Sequence, residues 1–184
     1  MQSYESDYWK ICAALDNAVR IELLELLAES KSEYPCVVEI AEKLRLCGGT
    51  ASLYLKHLRE AELISSANAE RRVFYRAFPT TDRGKKTLAA LKAFFATRPS
   101  PTRLAEFFKI VHALAHRRRL SYLRYLSAHP GTRLIDAARD LGIPSATLDR
   151  MLDQLGHAHL VDVHGRITRP AREPEDTLLS LALA

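Results

Sequence analysis

Two short stretches decide how this chain reads: Glu39-Ile40-Ala41-Glu42-Lys43-Leu44, and then Thr50-Ala51-Ser52-Leu53-Tyr54-Leu55-Lys56-His57-Leu58-Arg59-Glu60-Ala61. Val38, Ile40, Ala41 and Leu44 recur at helical spacing and predict a short helix. Ala51, Leu55 and Leu58, at i, i+4 and i+7, predict a second helix with one apolar stripe, capped by Thr50 or its neighbours and ending near Ala61. Between them Cys47-Gly48-Gly49 is expected to form a tight turn, because glycine adopts turn conformations at no steric cost. Two short helices joined in this way make a helix-turn-helix.

Upstream, a helix near 4–15 and a buried helix near 17–29 are expected, since Ala14, Leu15, Val19, Ile21, Leu23, Leu24, Leu26 and Leu27 are too dense for one narrow stripe. The stretch Glu29 to Val37 reads as a loop. Downstream, Leu63–Ser66 and Arg72–Ala77 are expected strands around Ala67-Asn68-Ala69-Glu70-Arg71, a hairpin with a loop long enough to be a wing. After Pro79, Thr81 or Asp82 can cap a fifth helix running to about Ala96. Arg98-Pro99-Ser100-Pro101-Thr102 then breaks it, because two prolines in three residues disfavour helical backbone on both sides.

The chain also repeats itself. Shifted by 99 residues, Ala14, Leu15, Arg20, Leu24 and Leu27 fall on Ala113, Leu114, Arg119, Leu123 and Leu126. Shifted by 97, Ala41, Leu44, Thr50, Leu55, Leu58, Ala61 and Leu63 fall on Ala138, Leu141, Thr147, Leu152, Leu155, Ala158 and Leu160. The single slip lies in the 29–37 loop, where a two-residue difference in length is tolerated. A duplicated unit is therefore expected, with helices near 104–113, 117–128, 134–141 and 145–155 and a tight hairpin over 160–168 turning at His164-Gly165. The expected fold class is mainly α with small β-hairpin wings (α+β), as two tandem winged helix-turn-helix domains. Their expected bounds are 1–97 and 103–169, with a tail over 170–184 whose residues 176–184 look helical.

Composition narrows the function. Of the 184 residues, 47% are hydrophobic and 27% charged, which is the make-up of a globular protein. No apolar run approaches the roughly 20 residues of a membrane span, and no signal peptide is legible near Met1, so a cytoplasmic location is expected. The formal charge is +5, divided as +2 over 1–99 and +3 over 100–184. A pI near 9.2 leans toward anionic partners such as nucleic acid, but any basic surface must come from placement. Cys12, Cys36 and Cys47 form no C-x-x-C pair, so mostly buried thiols are expected.

Ala14-Leu15-Asp16-Asn17-Ala18-Val19-Arg20-Ile21 and the helix-turn-helix quoted above resemble the ArsR-like winged helix-turn-helix regulators of bacteria and archaea. Ala113-Leu114-Ala115-His116-Arg117-Arg118-Arg119-Leu120 is similar to the same opening signature. The resemblance covers about residues 8–96 and, more weakly, 107–168. It implies a transcriptional regulator that binds double-stranded DNA, with the wing on phosphate or in the minor groove. Two departures stand out. Cys47-Gly48-Gly49 replaces the family's Ser- and Gln-rich start of the recognition helix, and the tandem arrangement replaces the usual pair of identical chains.

On this reading the face opposite Ala51, Leu55 and Leu58 presents Gly48, Gly49, Ser52, Lys56 and Arg59 to the major groove, beside Arg71, Arg72 and Arg76 on the wing. In the second copy Asp149 and Asp153 stand where Ser52 and Lys56 do, and carboxylates repel phosphate. A role in dimerisation or in holding a protein partner is expected there. Arg117 and Arg118 read as a solvated pair or as a binder of phosphate or an acidic partner, and Arg119, matching Arg20, as a structural residue. The family's metal motif would be Cys36-Val37-Val38-Glu39-Ile40, with Val38 in place of a second thiolate, so no metal is expected. The pairs His112/His116 and His157/His159 lack a third ligand at suitable spacing. No catalytic motif and no cofactor signature is present.

The expected function is thus a DNA-binding regulator, forming a homodimer through the first and fifth helices. The rival is a tandem winged-helix adaptor between proteins, which Gly48-Gly49 and the acidic second copy favour.

Overall fold

The computed structural model describes residues 7–30, 34–69 and 72–161. They divide into two compact units, one of residues 14–89, the other of the described residues within 1–13 and 90–184.

In the 14–89 unit, α2 (Ala18–Glu29) begins at Asn17, whose side chain accepts the Arg20 N–H at 3.1 Å. It buries Ile21, Leu23, Leu24 and Leu27. Next come α3 (Val37–Lys43) and α4 (Gly48–Glu60), whose Ile40, Ala41, Ala51, Leu55 and Leu58 complete the core. The predicted apolar stripe of α4 is the buried one. The glycines, however, are not the turn: both lie in the first turn of α4, and the left-handed residue between the helices is Arg45, at φ 52°. A non-glycine there costs about 1 kcal/mol, and the turn is closed by Leu46 N–H donating to Ala41 O at 2.8 Å.

The hairpin differs from expectation too. β1 (Ser65–Ala69) pairs with β2 (Arg72–Arg76) from Ser65↔Arg76 to Ala69↔Arg72, so residues expected in the loop belong to the ladder. Val73 and Phe74, opposite Asn68 and Ala67, carry these weak strand formers by pairing. A third segment was not foreseen: Cys36 bridges Phe74, and Pro35 O accepts the Tyr75 N–H at 3.1 Å, so part of the expected 29–37 loop joins the sheet.

The chain leaves the sheet through Pro79 and enters α5 (Asp82–Ala96). Thr81 caps it, its Oγ1 accepting the Gly84 N–H at 3.2 Å. The first half of α5 belongs to the 14–89 unit and the second half to the other.

In that other unit, α1 (Tyr8–Leu15) contributes buried Tyr8, Ile11 and Cys12. Phe94 of α5 stacks on Phe107 of α6 (Pro101–Leu114) at 4.8 Å. The expected break at 98–102 proves shorter, because Ser100 caps α6 and Pro101 occupies its first turn, where a missing N–H is harmless. α7 (Arg117–Ala128), α8 (Leu134–Asp140) and α9 (Ser145–His157) follow. Tyr122 is fully buried and donates to Leu134 O at 3.1 Å, its phenol pushed up to about 12 by burial.

These helices match α2, α3 and α4 in length: 12, 7 and 13 residues in each set. The closures match as well. Gly142, at φ 63°, stands at the position of Arg45, and Ile143 N–H donates to Ala138 O at 2.8 Å as Leu46 does to Ala41. Glu62 and His159, both left-handed, end α4 and α9 alike. The expected second hairpin beyond Val161 and the helix expected over 176–184 lie outside the described residues, as does the start of the helix expected from residue 4.

Candidate nucleic-acid interface

The outward face of α4 is built by its inner one. With Ala51, Leu55 and Leu58 buried, helical geometry turns Gly48, Gly49, Ser52, Lys56 and Arg59 outward, and all five are exposed. An added Cβ at Gly48 or Gly49 would meet nothing within 4 Å, so backbone here is open to close approach. Lys56 lies 3.9 Å from Glu60, an exposed pair too weak and too screened to hold it from another anion. Arg59 and His57 occupy the last turn, where cations complement the helix dipole.

The wing arginines part company. Arg72 is exposed at the far end of the ladder, opposite Ala69. Arg76 is exposed at the near end, opposite Ser65, to whose Oγ its Nε donates at 3.0 Å. Its guanidinium lies 4.5 Å from the Phe78 ring and 5.6 Å from the Tyr34 ring. Arg76 is thus held in place, and Arg71 lies outside the described residues.

Sequence reasoning missed three residues. Tyr34 and Phe78, each about half exposed, grip Arg76. Leu53, 50% exposed between Ser52 and Lys56, puts an apolar group on the outward face of α4. Its place opposite the Ala51, Leu55 and Leu58 stripe in the helical wheel was available as a signal, whereas the aromatic grip joins distant residues and left none.

Cys47 caps α4, its Sγ 3.0 Å from Thr50 Oγ1. Hydrogen bonds from Thr50 lower this exposed thiol below its ordinary value. Cys12 and Cys36 are buried. Glu39 reaches back to accept the Cys36 N–H at 2.8 Å, which holds its carboxyl below the usual range. Val38, where a second thiolate would be needed, points 63% of its surface to solvent. Among the described residues no group of three or more His, Cys, Asp or Glu can hold a metal ion.

On α9, Ser145, Ala146, Asp149, Arg150 and Asp153 are exposed, as the sequence placed them. Arg117 and Arg118 are exposed too, but Arg119 is buried, donating from Nε to Ala113 O at 2.7 Å, from Nη2 to His112 O at 2.6 Å, and from Nη1 to Gln154 Oε1.

Helices α2, α3 and α4 with the hairpin β1–β2 make up a helix-turn-helix with a two-stranded wing. Residues 17–66 match the family model of the bacterial regulatory protein, arsR family, a segment little longer than a quarter of the chain. This similarity supports a helix-turn-helix regulator that binds DNA. No curated protein matches the chain. No helix among the described residues is long and apolar enough to cross a membrane.

Proposed function

We propose that the chain is a sequence-specific DNA-binding transcriptional regulator without an intact metal-sensing site, in which α4 and the wing of the 14–89 unit meet the duplex. The observation that carries this reading is the outward row of Ser52, Lys56 and Arg59 on α4, with exposed Arg72 on the wing of the same unit. Cations on both elements supply the sequence-independent part of binding, and a helix face of that width suits the major groove. The equal helix lengths and equivalent left-handed closures support a tandem duplication, with α7, α8 and α9 as the second copy.

The second copy carries Asp149 and Asp153 outward. That observation favours the adaptor reading for this half of the molecule, a protein-holding surface rather than a second reader.

Each phosphate contact contributes about 0.9 to the slope of log K against log salt, or roughly 5-fold in affinity at 0.15 M. The double replacement Arg59→Gln with Arg72→Gln should therefore weaken duplex binding about 30-fold and flatten the slope by about 1.8. Arg150→Gln should leave both unchanged. Fluorescence anisotropy across salt measures them. Binding that survives the first pair and is lost with Arg150→Gln would make the second copy the reader. No duplex bound below about 10 μM would leave the adaptor.

The same reading includes a homodimer through α1 and α5, which would pair by the outward faces of these helices, since Tyr8, Ile11, Cys12, Leu91 and Phe94 are buried within the chain. Light scattering at micromolar concentration is expected to give about twice the 20.7 kDa of one chain. A mass near 20.7 kDa would overturn the dimer.

A further inference from the structure

Between the first turn of α3 and the start of β2 lies an open cavity of about 300 Å³, lined by Cys36, Val37, Val38, Glu39, Arg72 and Val73. It runs from the buried Cys36 to the exposed Val38 and Arg72. Its walls are chiefly valine side chains, and Val38 leaves 63% of its surface in water, apolar area that an apolar body would cover.

The two charged residues of the lining are not equivalent. Glu39 is committed to the Cys36 N–H at 2.8 Å. Arg72 feels the Glu39 charge, yet closes no ion pair among the described residues. A guanidinium at the rim of an apolar cavity binds a carboxylate well, since its planar donor fork matches two oxygens. Glu39 would repel a second negative charge. A volume at the low end of ligand sites admits a body of about one ring.

We propose that this cavity binds a small apolar monocarboxylate, with its hydrocarbon body against Val37, Val38 and Val73 and its carboxylate on Arg72. Resting on the DNA-binding reading above, this makes the site regulatory. Arg72 is the wing cation assigned to phosphate, so ligand and DNA compete for one guanidinium, and the ligand acts as a releasing effector.

Benzoate, benzyl alcohol and acetate are the probes, each at 10 mM on the full chain without DNA, followed by the methyl NMR signals of valine. Benzoate should shift Val37, Val38 and Val73 with a Kd on the order of 1 mM, as nine heavy atoms allow. Benzyl alcohol, the same ring with an uncharged polar group, should bind at least 5-fold more weakly, and acetate should not bind. Arg72→Gln, at an exposed position, should reduce benzoate to the level of benzyl alcohol and leave the latter unchanged. No shift at these valines, or equal binding of benzoate and benzyl alcohol, overturns the site. With DNA present, saturating benzoate should weaken the complex about 5-fold at 0.15 M salt and flatten the salt slope by about 0.9, with no effect on Arg72→Gln. Valine shifts with an unaffected complex overturn the regulatory role. Valine shifts in a protein that binds no duplex overturn the DNA reading and leave the site standing.

Discussion

Replacing Arg119 by leucine is expected to lower the unfolding free energy of its unit by about 3 kcal/mol. The side chain is 7% exposed and closes the end of α6, donating to Ala113 O in the last turn and to His112 O, which also accepts the Ala115 N–H at 3.3 Å. It also reaches Gln154 on α9. Leucine would fill much of the volume but take away the buried donor to Ala113 O and leave His112 O with the Ala115 N–H alone, and a buried acceptor left unmade costs on the order of 1–3 kcal/mol. Lysine would keep the charge yet lose the fork that serves three acceptors, so Arg119→Lys should fall between wild type and leucine. The single tryptophan, Trp9, lies in α1 of the same unit, so its fluorescence during urea unfolding reports the change. A loss below about 1 kcal/mol would mean that water satisfies the carbonyls and the arginine is dispensable.

The second large effect is expected at Gly84. A Cβ there would stand 2.9 Å from Glu62 O and 3.0 Å from Pro79 Cβ, where the first turn of α5 passes the end of α4. The nearest atom is backbone, so a clash cannot be relieved by rotating a side chain. Gly84→Ala should cost about 2 kcal/mol net, even though alanine favours a helix by about 1 kcal/mol over glycine. Gly48→Ala and Gly49→Ala are the controls. Both lie in a helix with nothing within 4 Å of the added atom, so alanine there should be neutral or stabilising by up to about 1 kcal/mol. Thermal unfolding of the three variants separates the cases. Should Gly84→Ala be as stable as Gly49→Ala, the close approach of α5 to Glu62 is not part of the solution structure.

These two sites also mark how far sequence carried the interpretation. Arg119 was legible as a structural residue, because Arg20 falls on it when the sequence is shifted by 99 residues. The helices were legible wherever one apolar stripe of period 3.6 faced the core, as Ala51, Leu55 and Leu58 do in α4. Gly84 was not, because its role is set by Glu62 and Pro79, and local patterning does not encode a close approach between elements. The turn at Arg45 was misread for a related reason. Preference placed the left-handed residue on the glycines, while the hydrogen bond of Leu46 to Ala41 O holds an arginine there at a local cost. The Cys36–Phe74 bridge is a single pair, too short to leave an alternating signal. Of the interface, exposure of Gly48, Gly49, Ser52, Lys56 and Arg59 followed from helical periodicity, while Arg72 and Arg76 were placed by the expected wing. The difference between a held Arg76 and an unclamped Arg72 depends on aromatic rings brought from outside the hairpin.

The sheet closes one flank of β2 with Pro35 and Cys36, which leaves β1 as its open flank among the described residues. An unpaired strand edge is a template on which other chains can grow, and concentrated preparations of small sheet proteins often aggregate through such an edge. Here the edge is written as Ser65-Ser66-Ala67-Asn68-Ala69, with no branched or aromatic side chain to bury against an incoming strand. A passing chain gains backbone hydrogen bonds from it and almost no apolar contact. The outer border of the wing is consequently a poor seed, and the protein should tolerate high concentration without growing fibrils from that side.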